Sequence, residues 1–257
     1  MSNNKKQPLI ILKIEAGVGR LTLNRPPLNI LNIKMLVALE AALEEASADQ
    51  TLRILVLQAN GKLFSAGVDI ADHTVERVNE MIPLFNRVCH ALATFPVPTL
   101  AVVHGHALGG GCELLLCCDM SVAAENAKIG QPEIKLATFA PIAALRLPAL
   151  VGHALTAELL FTGETLRAAE VVRLGLVNRA VPADELEAAA SKIITSLQTM
   201  SAAALRLCKK ALTLNAPTWD SLEAVEALYL QDLMSTADVH EGLAAYQEKR
   251  SPNWQHH

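Results

Sequence analysis

The most constraining feature of this sequence is a run of three glycines between two apolar segments, HGHALGGGCELLLCC at residues 104–118. Glycine lets backbone N–H groups approach a ligand because no Cβ stands in the way. The start of a helix adds unpaired N–H groups and partial positive charge. We therefore predict a strand, a glycine loop and a buried helix. The loop either binds an anionic oxygen or serves only close packing.

The helix that follows the glycines carries one acidic residue in an otherwise apolar stretch. Glu113 stands between Cys112 and Leu114, so we expect its carboxylate to be buried. A buried carboxylate without a partner is costly, and such residues are usually paired, protonated or functional. Glu113 is therefore either the ion-pair partner of an arginine elsewhere or a functional acid or base. The GxGxxG and GK[ST] phosphate-binding patterns are absent from this loop.

A second glutamate lies in the segment GQPEIK at residues 130–135. Pro132 fixes φ and can open a helical turn, so Glu133 is expected near the start of that turn. Taken alone, Glu133 would be an exposed residue at a helix start. If the chain between them runs out along one strand and returns, Glu113 and Glu133 can instead lie in one pocket. Two carboxylates that share a site push their pKa values apart, so one can serve as acid and the other as base.

A third segment, FSAGVD at residues 64–69, follows the short β-type run RILVLQ at residues 53–58. In α/β sheets, ligands bind at the carboxyl ends of the strands, and a glycine-containing turn there can present a backbone N–H group. One amide of this loop and one of the glycine loop can hold an oxygen from two directions. A plain turn is the alternative.

The overall composition argues against several classes of function. The chain has 257 residues, of which 51% are hydrophobic and 19% charged, and this fits one large domain or one domain with a small appendage. A formal net charge of -4 predicts neither a nucleic-acid partner nor an anionic membrane surface. Five cysteines without a CxxC pair predict reduced thiols in a cytoplasmic protein. No apolar run approaches the roughly 18 residues of a membrane-spanning helix.

Strand-like and helical patterns alternate through the first half of the chain. This alternation predicts an α/β fold with a largely parallel sheet. From Ala140 onward the pattern is mostly helical, with a strand-like segment at residues 176–181. The predicted strands are a hairpin at residues 9–23 and single strands at 53–58, 99–103 and 120–124, and the predicted helices span residues 33–46 and 74–94.

The order FSAGVD, HGHALGGGCE and GQPEI resembles the crotonase family, which comprises enoyl-CoA hydratases and isomerases. The resemblance runs from LTLNRPPLNILN at residues 21–32 to EGLAAYQEKRSPNW at residues 241–254. It implies a crotonase-type spiral of βαβ units with a CoA-thioester site in residues 1–195. It also implies a helical C-terminal oligomerisation region in residues 196–257 and a homotrimer or a dimer of trimers.

Carried over by position, the resemblance implies a role for four residues. The backbone N–H groups of Val68 and Gly110 would form the oxyanion site that holds the thioester oxygen. Glu113 and Glu133 would be the catalytic pair of the hydratase branch, and both are present in this chain. Family members that only isomerise, decarboxylate or dehalogenate often lack one or both glutamates.

The same resemblance implies the substrate contacts. The loop from Ala66 to Ile70 matches the one that lies against the CoA portion of an acyl-CoA substrate. No metal and no separate cofactor are implied, because coenzyme A is itself part of the substrate. The substrate-binding residues implied in this way are Ala66, Val68, Asp69, Ile70 and Gly110.

The chain departs from common short-chain hydratases just after Glu133. Those enzymes carry a glycine-rich segment there, whereas this chain reads ATFAPIAALRLPALVG at residues 137–152. The FAP segment, the ADH segment at residues 71–73 and the ending VEALYLQDLM resemble the family branch that hydrates cyclohexa-1,5-diene-1-carbonyl-CoA in anaerobic benzoyl-CoA degradation. This resemblance implies a hydro-lyase that forms a hydroxycyclohexene-carbonyl-CoA.

Three alternatives remain at this point. The first is a general short-chain enoyl-CoA hydratase or isomerase that acts on linear acyl groups. The second is another outcome of the same enolate, such as C–C cleavage, against which the glutamate pair argues. The third is a non-catalytic scaffold that binds CoA esters or RNA. The acidic net charge weakens its RNA version, and the paired glutamates weaken its inert version.

Overall fold

The structure, a computed structural model, describes residues 7–214 and 222–254. Residues 1–6, and residues 215–221 and 255–257 of the predicted C-terminal region, lie outside the described residues. The strands are β1 Ile10–Glu15, β2 Val18–Leu23, β3 Ile54–Ala59, β4 Thr99–Val103, β5 Ala107–Leu108, β6 Met120–Ala124, β7 Lys128–Gly130, β8 Thr165–Arg167 and β9 Arg179–Val181. The helices are α1 Ile33–Ala48, α2 Val75–Ala93, α3 Gly110–Leu116, α4 Pro141–Val151, α5 His153–Thr162, α6 Ala168–Val171, α7 Leu186–Gln198, α8 Ala202–Leu214, α9 Leu222–Ala227 and α10 Ala237–Glu248.

The larger sheet has six strands in the order β1-β2-β3-β4-β6-β9. Strands β1 and β2 form the predicted antiparallel hairpin, and every later pair of neighbours is parallel. Parallel neighbours need crossover connections, which α1 supplies between β2 and β3 and α2 supplies between β3 and β4. The predicted α/β class with a largely parallel sheet is therefore confirmed.

The smaller sheet contains β5, β7 and β8 in that order. Strand β5 pairs with β7 in parallel, and β7 pairs with β8 antiparallel. Strand β8 was missed by the sequence prediction, which expected helix there. Its three residues, TLR, are too few to carry a period-two pattern, and their partner β7 is distant in sequence.

Two hydrophobic clusters cover the two faces of the larger sheet. Leu55 and Leu57 of β3 belong to the main cluster, together with residues of α1, α2 and α3. Ile54 and Val56 of the same strand face the second cluster, which includes residues of α7. Burial on both faces explains why β3 and β4 read as continuous apolar runs rather than as alternating ones.

The C-terminal helices pack on the core. Tyr229, in a π-helical turn at Leu228–Asp232, and Val239 of α10 both belong to the main hydrophobic cluster. The predicted division after residue 195 falls within α7, and that boundary stays a prediction. Across residues 7–214 and 222–254, no helix combines the length and the apolar character needed to cross a membrane.

Candidate active site

A cavity of about 350 Å³ lies where four segments of the chain meet. Its walls come from the FSAGVD loop, the glycine loop, the turn that follows Pro132 and the C-terminal helices. Both predicted glutamates, Glu113 and Glu133, line it together with several apolar and aromatic side chains. The structure therefore brings all three sequence motifs to one pocket.

Backbone hydrogen bonds hold the FSAGVD loop against the strand that precedes the glycines. Ser65 N donates to His106 O at 3.1 Å, and Leu108 N donates to Ser65 O at 3.0 Å. A Cβ built on Gly67, whose φ is +100°, would lie 3.4 Å from Gly110 N and 3.1 Å from Leu108 O. The two loops therefore touch backbone to backbone, which a positive-φ glycine allows without strain.

Two backbone amides remain available where the loops meet. Leu31 N donates to Gly67 O at 2.9 Å and Asp69 N donates to Leu31 O at 3.0 Å, so the intervening Val68 N–H points away from Leu31. Gly110 opens α3, and its N–H therefore has no intrahelical acceptor. Within the described part of the chain, neither amide donates a hydrogen bond to a protein atom. A Cβ on Gly110 would approach Val68 Cγ2 to 2.7 Å, which shows how closely the two residues pack.

Glu113 is buried to 2% exposure on α3. Its Oε1 accepts hydrogen bonds from Ile142 N at 2.9 Å and Ala143 N at 3.1 Å, both in the first turn of α4. Among the described residues Glu113 forms no ion pair with an arginine, and the N-terminal amides of α4 are its partners instead. Burial raises the pKa of Glu113, and the two backbone hydrogen bonds oppose that shift.

Glu133 begins a 3-10 turn, Glu133–Leu136, and its side chain reaches back into the cavity. Its carboxylate packs against Gly109 so closely that a Cβ there would lie 2.5 Å from Oε1. With its amide nitrogen turned toward the carboxylate, Gln131 donates to both Glu133 oxygens at 3.3 Å. Glu133 is therefore a cavity residue rather than an exposed helix-start residue.

The pKa values of both carboxyl groups are raised above their ordinary range. Burial raises the pKa of Glu133, and the negative charge of Glu113 raises it further. Glu113 retains two backbone donors, which stabilise its ionised form. Two carboxyl groups that line one cavity and differ in this way can serve one as acid and the other as base near neutral pH.

Residues 13–257 match the profile of the family described as Enoyl-CoA hydratase/isomerase. The chain belongs to the enoyl-CoA hydratase/isomerase family. It is 36% identical to a cyclohexa-1,5-dienecarbonyl-CoA hydratase of Thauera aromatica, over 99% of each chain. It is also 36% identical to a crotonyl-CoA hydratase of Syntrophomonas wolfei, over 95% of this chain and 97% of that one.

A solved enoyl-CoA hydratase from Mycobacterium avium subsp. paratuberculosis superimposes with a TM-score of 0.85 at 31% identity, covering 96% of this chain and 99% of that one. The crotonase-type fold expected from the sequence is confirmed by this likeness. The expected enzyme class, a hydro-lyase of the enoyl-CoA hydratase type, is also confirmed.

The substrate-binding loop expected from the family resemblance is only partly turned toward the cavity. Ala66, Val68 and Ile70 line it. The Asp69 carboxylate instead accepts a hydrogen bond from Arg25 Nη1 at 3.2 Å and one from Ala71 N at 3.2 Å. The Asp69 side chain therefore organises the loop, and the structure does not bring it to the cavity.

Several residues that form or support this site were not predicted from the sequence. Both tyrosines of the chain, Tyr229 and Tyr246, line the cavity. Asn29 is fully buried and donates to Asn60 O at 2.6 Å and Leu63 O at 2.8 Å, which anchors the approach to the FSAGVD loop. The chain has only two tyrosines, and both lie in its C-terminal region. That rarity was the one sequence signal that could have pointed to them.

No group of three or more His, Cys, Asp or Glu side chains within residues 7–214 and 222–254 is arranged to hold a metal ion. That no separate cofactor is needed stays a prediction. His106, one of two histidines beside the glycine loop, accepts a hydrogen bond from Lys128 N at 3.0 Å through Nδ1. His104 Nε2 lies 3.0 Å from Gly61 O. Both contacts are structural.

Replacing Glu133 with glutamine should stabilise the fold at alkaline pH. The native pKa of Glu133 is raised above its ordinary value of 4.5, so the native state loses stability as pH rises from that value through the raised pKa. Glutamine does not ionise, so it causes no such loss of stability as pH rises. We expect urea unfolding at pH 9 to show a gain of about 1 kcal/mol or more, shrinking toward pH 5. Exposed Glu164→Gln is the control, and a gain independent of pH would contradict the explanation.

Proposed function

We propose that this enzyme hydrates cyclohexa-1,5-diene-1-carbonyl-CoA to a hydroxycyclohexene-carbonyl-CoA in anaerobic degradation of aromatic acids through benzoyl-CoA. The observation that carries the hydratase chemistry is the pair Glu113 and Glu133, which line one cavity. The nearby Val68 and Gly110 amides donate to no protein atom among the described residues. The observation that favours a cyclic acyl group is the aromatic wall of that cavity. Phe139 and Tyr229 meet there edge to face, with ring centroids 5.1 Å apart.

In the proposed mechanism, the thioester oxygen accepts hydrogen bonds from the N–H groups of Val68 and Gly110. Negative charge develops on that oxygen when the conjugated system is attacked. Donors placed in advance at this position stabilise the charge, and one such donor is typically worth about 2.7–4 kcal/mol of barrier. Because the two loops touch at Gly67, both donors are fixed before the substrate arrives.

The glutamate pair supplies both proton transfers of the proposed reaction. The ionised carboxylate takes a proton from water while the water oxygen bonds to a ring carbon by conjugate addition. The protonated carboxyl delivers its proton to carbon as the enolate collapses. One water is added, nothing is released, and the pair ends with one proton, as it began. No separate cofactor enters this scheme.

The altered segment after Glu133 supports the cyclic substrate. Ala137, Phe139 and Ala140 stand in the region where common short-chain hydratases are rich in glycine. Phe139 and Ala140 line the cavity, and flat aromatic walls suit a flat unsaturated ring. The second candidate is a general short-chain enoyl-CoA hydratase or isomerase, favoured by the equal identity to the crotonyl-CoA hydratase.

The purified protein should be assayed in parallel with cyclohexa-1,5-diene-1-carbonyl-CoA and crotonyl-CoA, following ultraviolet absorbance and product mass. We expect the diene ester to gain one water and crotonyl-CoA to turn over at least about tenfold less efficiently. Efficient hydration of crotonyl-CoA with an inert diene ester would replace the first candidate by the second. If the protein hydrates neither ester, both candidate functions are wrong.

The proposal extends to assembly and location. We propose a cytoplasmic homotrimer or dimer of trimers. Leu207 and Leu212 of α8 and Phe161 of α5 support an assembly because they expose most of their apolar surface in the single chain. A solution mass of three or six subunits is what this assembly requires, and a monomeric mass would contradict it.

A further inference from the structure

His73 lines the cavity, and the mechanism proposed above assigns it no role. Its backbone N–H donates to Ile70 O at 3.0 Å, so the residue ends the 3-10 turn Ile70–Asp72. The Asp69 side chain caps the start of the same turn by accepting a hydrogen bond from Ala71 N. The imidazole is therefore carried by a short, capped turn that directly follows the FSAGVD loop.

One hydrogen bond fixes the tautomer of His73. Its Nδ1 lies 3.1 Å from Asp69 O, and a carbonyl oxygen only accepts, so Nδ1 carries the hydrogen. In a neutral imidazole the other nitrogen, Nε2, is then an acceptor. Nε2 has no hydrogen-bond partner within residues 7–214 and 222–254, and it is not among the unpaired polar atoms that are sealed inside that part of the chain. It is therefore an accessible acceptor on a residue of the cavity wall.

The surroundings keep the His73 imidazole neutral. Burial lowers the pKa of His73, while the hydrogen bond to the Asp69 carbonyl and the negative charges of Asp72 and Asp69 oppose that shift. Both carboxylates have cationic partners of their own. Asp72 Oδ1 pairs with Arg77 Nη1 at 2.7 Å, and Asp69 Oδ2 pairs with Arg25 Nη1 at 3.2 Å. Neither carboxylate therefore holds a second proton on the imidazole, and Nε2 keeps its lone pair at neutral pH.

Several side chains that share the cavity with His73 are apolar. Ile70, Ile82 and Phe85 line it, and Ile82 and Phe85 are buried members of the main hydrophobic cluster. A hydroxyl group that enters such surroundings gives up its hydrogen bonds to water, which is costly unless the protein replaces them. An acceptor on His73 lowers that cost for a ligand with a hydroxyl group and has no such effect on a ligand without one.

Hydration creates a hydroxyl group inside this cavity. The attacking water gives one of its protons to the ionised carboxylate, as proposed above. The other hydrogen stays on the oxygen and becomes the hydroxyl hydrogen of the product. The best acceptor for that hydrogen is a group that takes no part in proton transfer. His73 Nε2 is such a group, because the glutamate pair handles the protons that move.

We propose that His73 is a specificity-determining residue, whose Nε2 accepts a hydrogen bond from the hydroxyl group of the hydrated CoA thioester. The inference rests on the proposed hydratase function, and it applies to a cyclic and to a linear acyl group. It adds a contact that distinguishes the hydroxylated product from an acyl group without a hydroxyl.

The test compares His73→Asn with His73→Gln. The asparagine amide nitrogen can replace Nδ1 as the donor to Asp69 O, but it leaves no acceptor at the position of Nε2. The longer glutamine side chain can place an oxygen acceptor near that position. Rescue by glutamine therefore separates the loss of the acceptor from a general disturbance of the turn.

Binding is measured by titration calorimetry with matched pairs of CoA thioethers. The linear pair is S-(3-hydroxybutyl)-CoA and S-butyl-CoA, and the cyclic pair is S-[(2-hydroxycyclohexyl)methyl]-CoA and S-(cyclohexylmethyl)-CoA. The members of a pair differ only in the hydroxyl group. Thioethers lack the carbonyl group that makes elimination of water possible, so no turnover disturbs the titration.

We expect His73→Asn to weaken binding of the hydroxyl-bearing member about tenfold and to leave the Kd of the other member within about twofold of the wild type. His73→Gln should recover most of that loss. The control variant His153→Asn changes an exposed histidine of α5 outside the cavity, and both of its Kd values should equal those of the wild type.

Equal changes in the two Kd values of each pair would overturn the proposal, as would a loss that His73→Gln does not reduce. Failure of the wild type to bind any of the four thioethers would overturn it as well. The parallel assay with the two thioesters tests the proposed function separately. If neither ester is hydrated, that function fails, and a hydroxyl-dependent loss in His73→Asn would still support Nε2 as the acceptor.

Discussion

The Glu133→Gln variant is expected to lower kcat for hydration by about 10²–10⁴-fold, the usual contribution of a positioned general acid or base. Glutamine has nearly the shape of glutamate, so the close packing against Gly109 and the contact with Gln131 can persist. An amide can neither take a proton from water nor deliver one to carbon at neutral pH. The loss should therefore appear in the chemical step.

Binding should be measured separately from turnover in the same variant. Titration calorimetry with butyryl-CoA, a saturated thioester that cannot be hydrated, should give a Kd within about threefold of the wild type. Glu164→Gln serves as the matched control, because Glu164 is exposed and outside the cavity. Retention of more than about a tenth of the wild-type kcat by Glu133→Gln would remove Glu133 from the mechanism.

The second large effect is expected from Gly109→Ala. Gly109 has φ +52° and ψ −128°, a combination that side chains rarely tolerate, and an added Cβ would lie 2.5 Å from Glu133 Oε1. The methyl group must displace the carboxylate, and a displacement near 1 Å can cost about 100-fold in rate. The strained backbone should also lower the free energy of unfolding by about 1–3 kcal/mol.

Gly152→Ala provides the matched control for Gly109→Ala. Gly152 also has a positive φ of +80°, but a Cβ there would meet nothing within 4 Å. This variant should lose stability in urea unfolding while its kcat stays near that of the wild type. If both variants lost activity equally, the effect of Gly109→Ala would reflect backbone strain rather than displacement of Glu133.

Several elements could be predicted because their signal is local. The helix at Ile33–Ala48 has regularly spaced buried side chains, and Asn32 caps it by accepting a hydrogen bond from Met35 N at 3.0 Å. The strands Thr99–Val103 and Met120–Ala124 are short apolar runs bounded by turn residues. Such elements are determined by residues that are close together in sequence, so their pattern is visible in the sequence itself. Strand Thr165–Arg167 exists only through its pairing with a distant strand, and it was missed.

The candidate site was predictable to a smaller extent. Glu113 was predicted as a candidate site residue because a carboxylate buried in an apolar helix needs a partner. Its actual partners are the backbone N–H groups of Ile142 and Ala143, which any residue type could supply, so no sequence signal identifies them. The same holds for Asp69, whose carboxylate turns to Arg25 and Ala71 only because of how the loop folds.

The α/β alternation, the buried glutamate, the two glycine-bearing loops and the family could all be predicted from the residues in order. Each of these follows from residue type and local spacing. Three features of the site come from the folded chain alone. Glu133 reaches back into the cavity, Tyr229 stands in the cavity wall, and the Val68 and Gly110 amides find no acceptor among the described residues. These features depend on contacts between residues that are distant in sequence. Such contacts form only when the chain folds and packs, so no local sequence pattern predicts them.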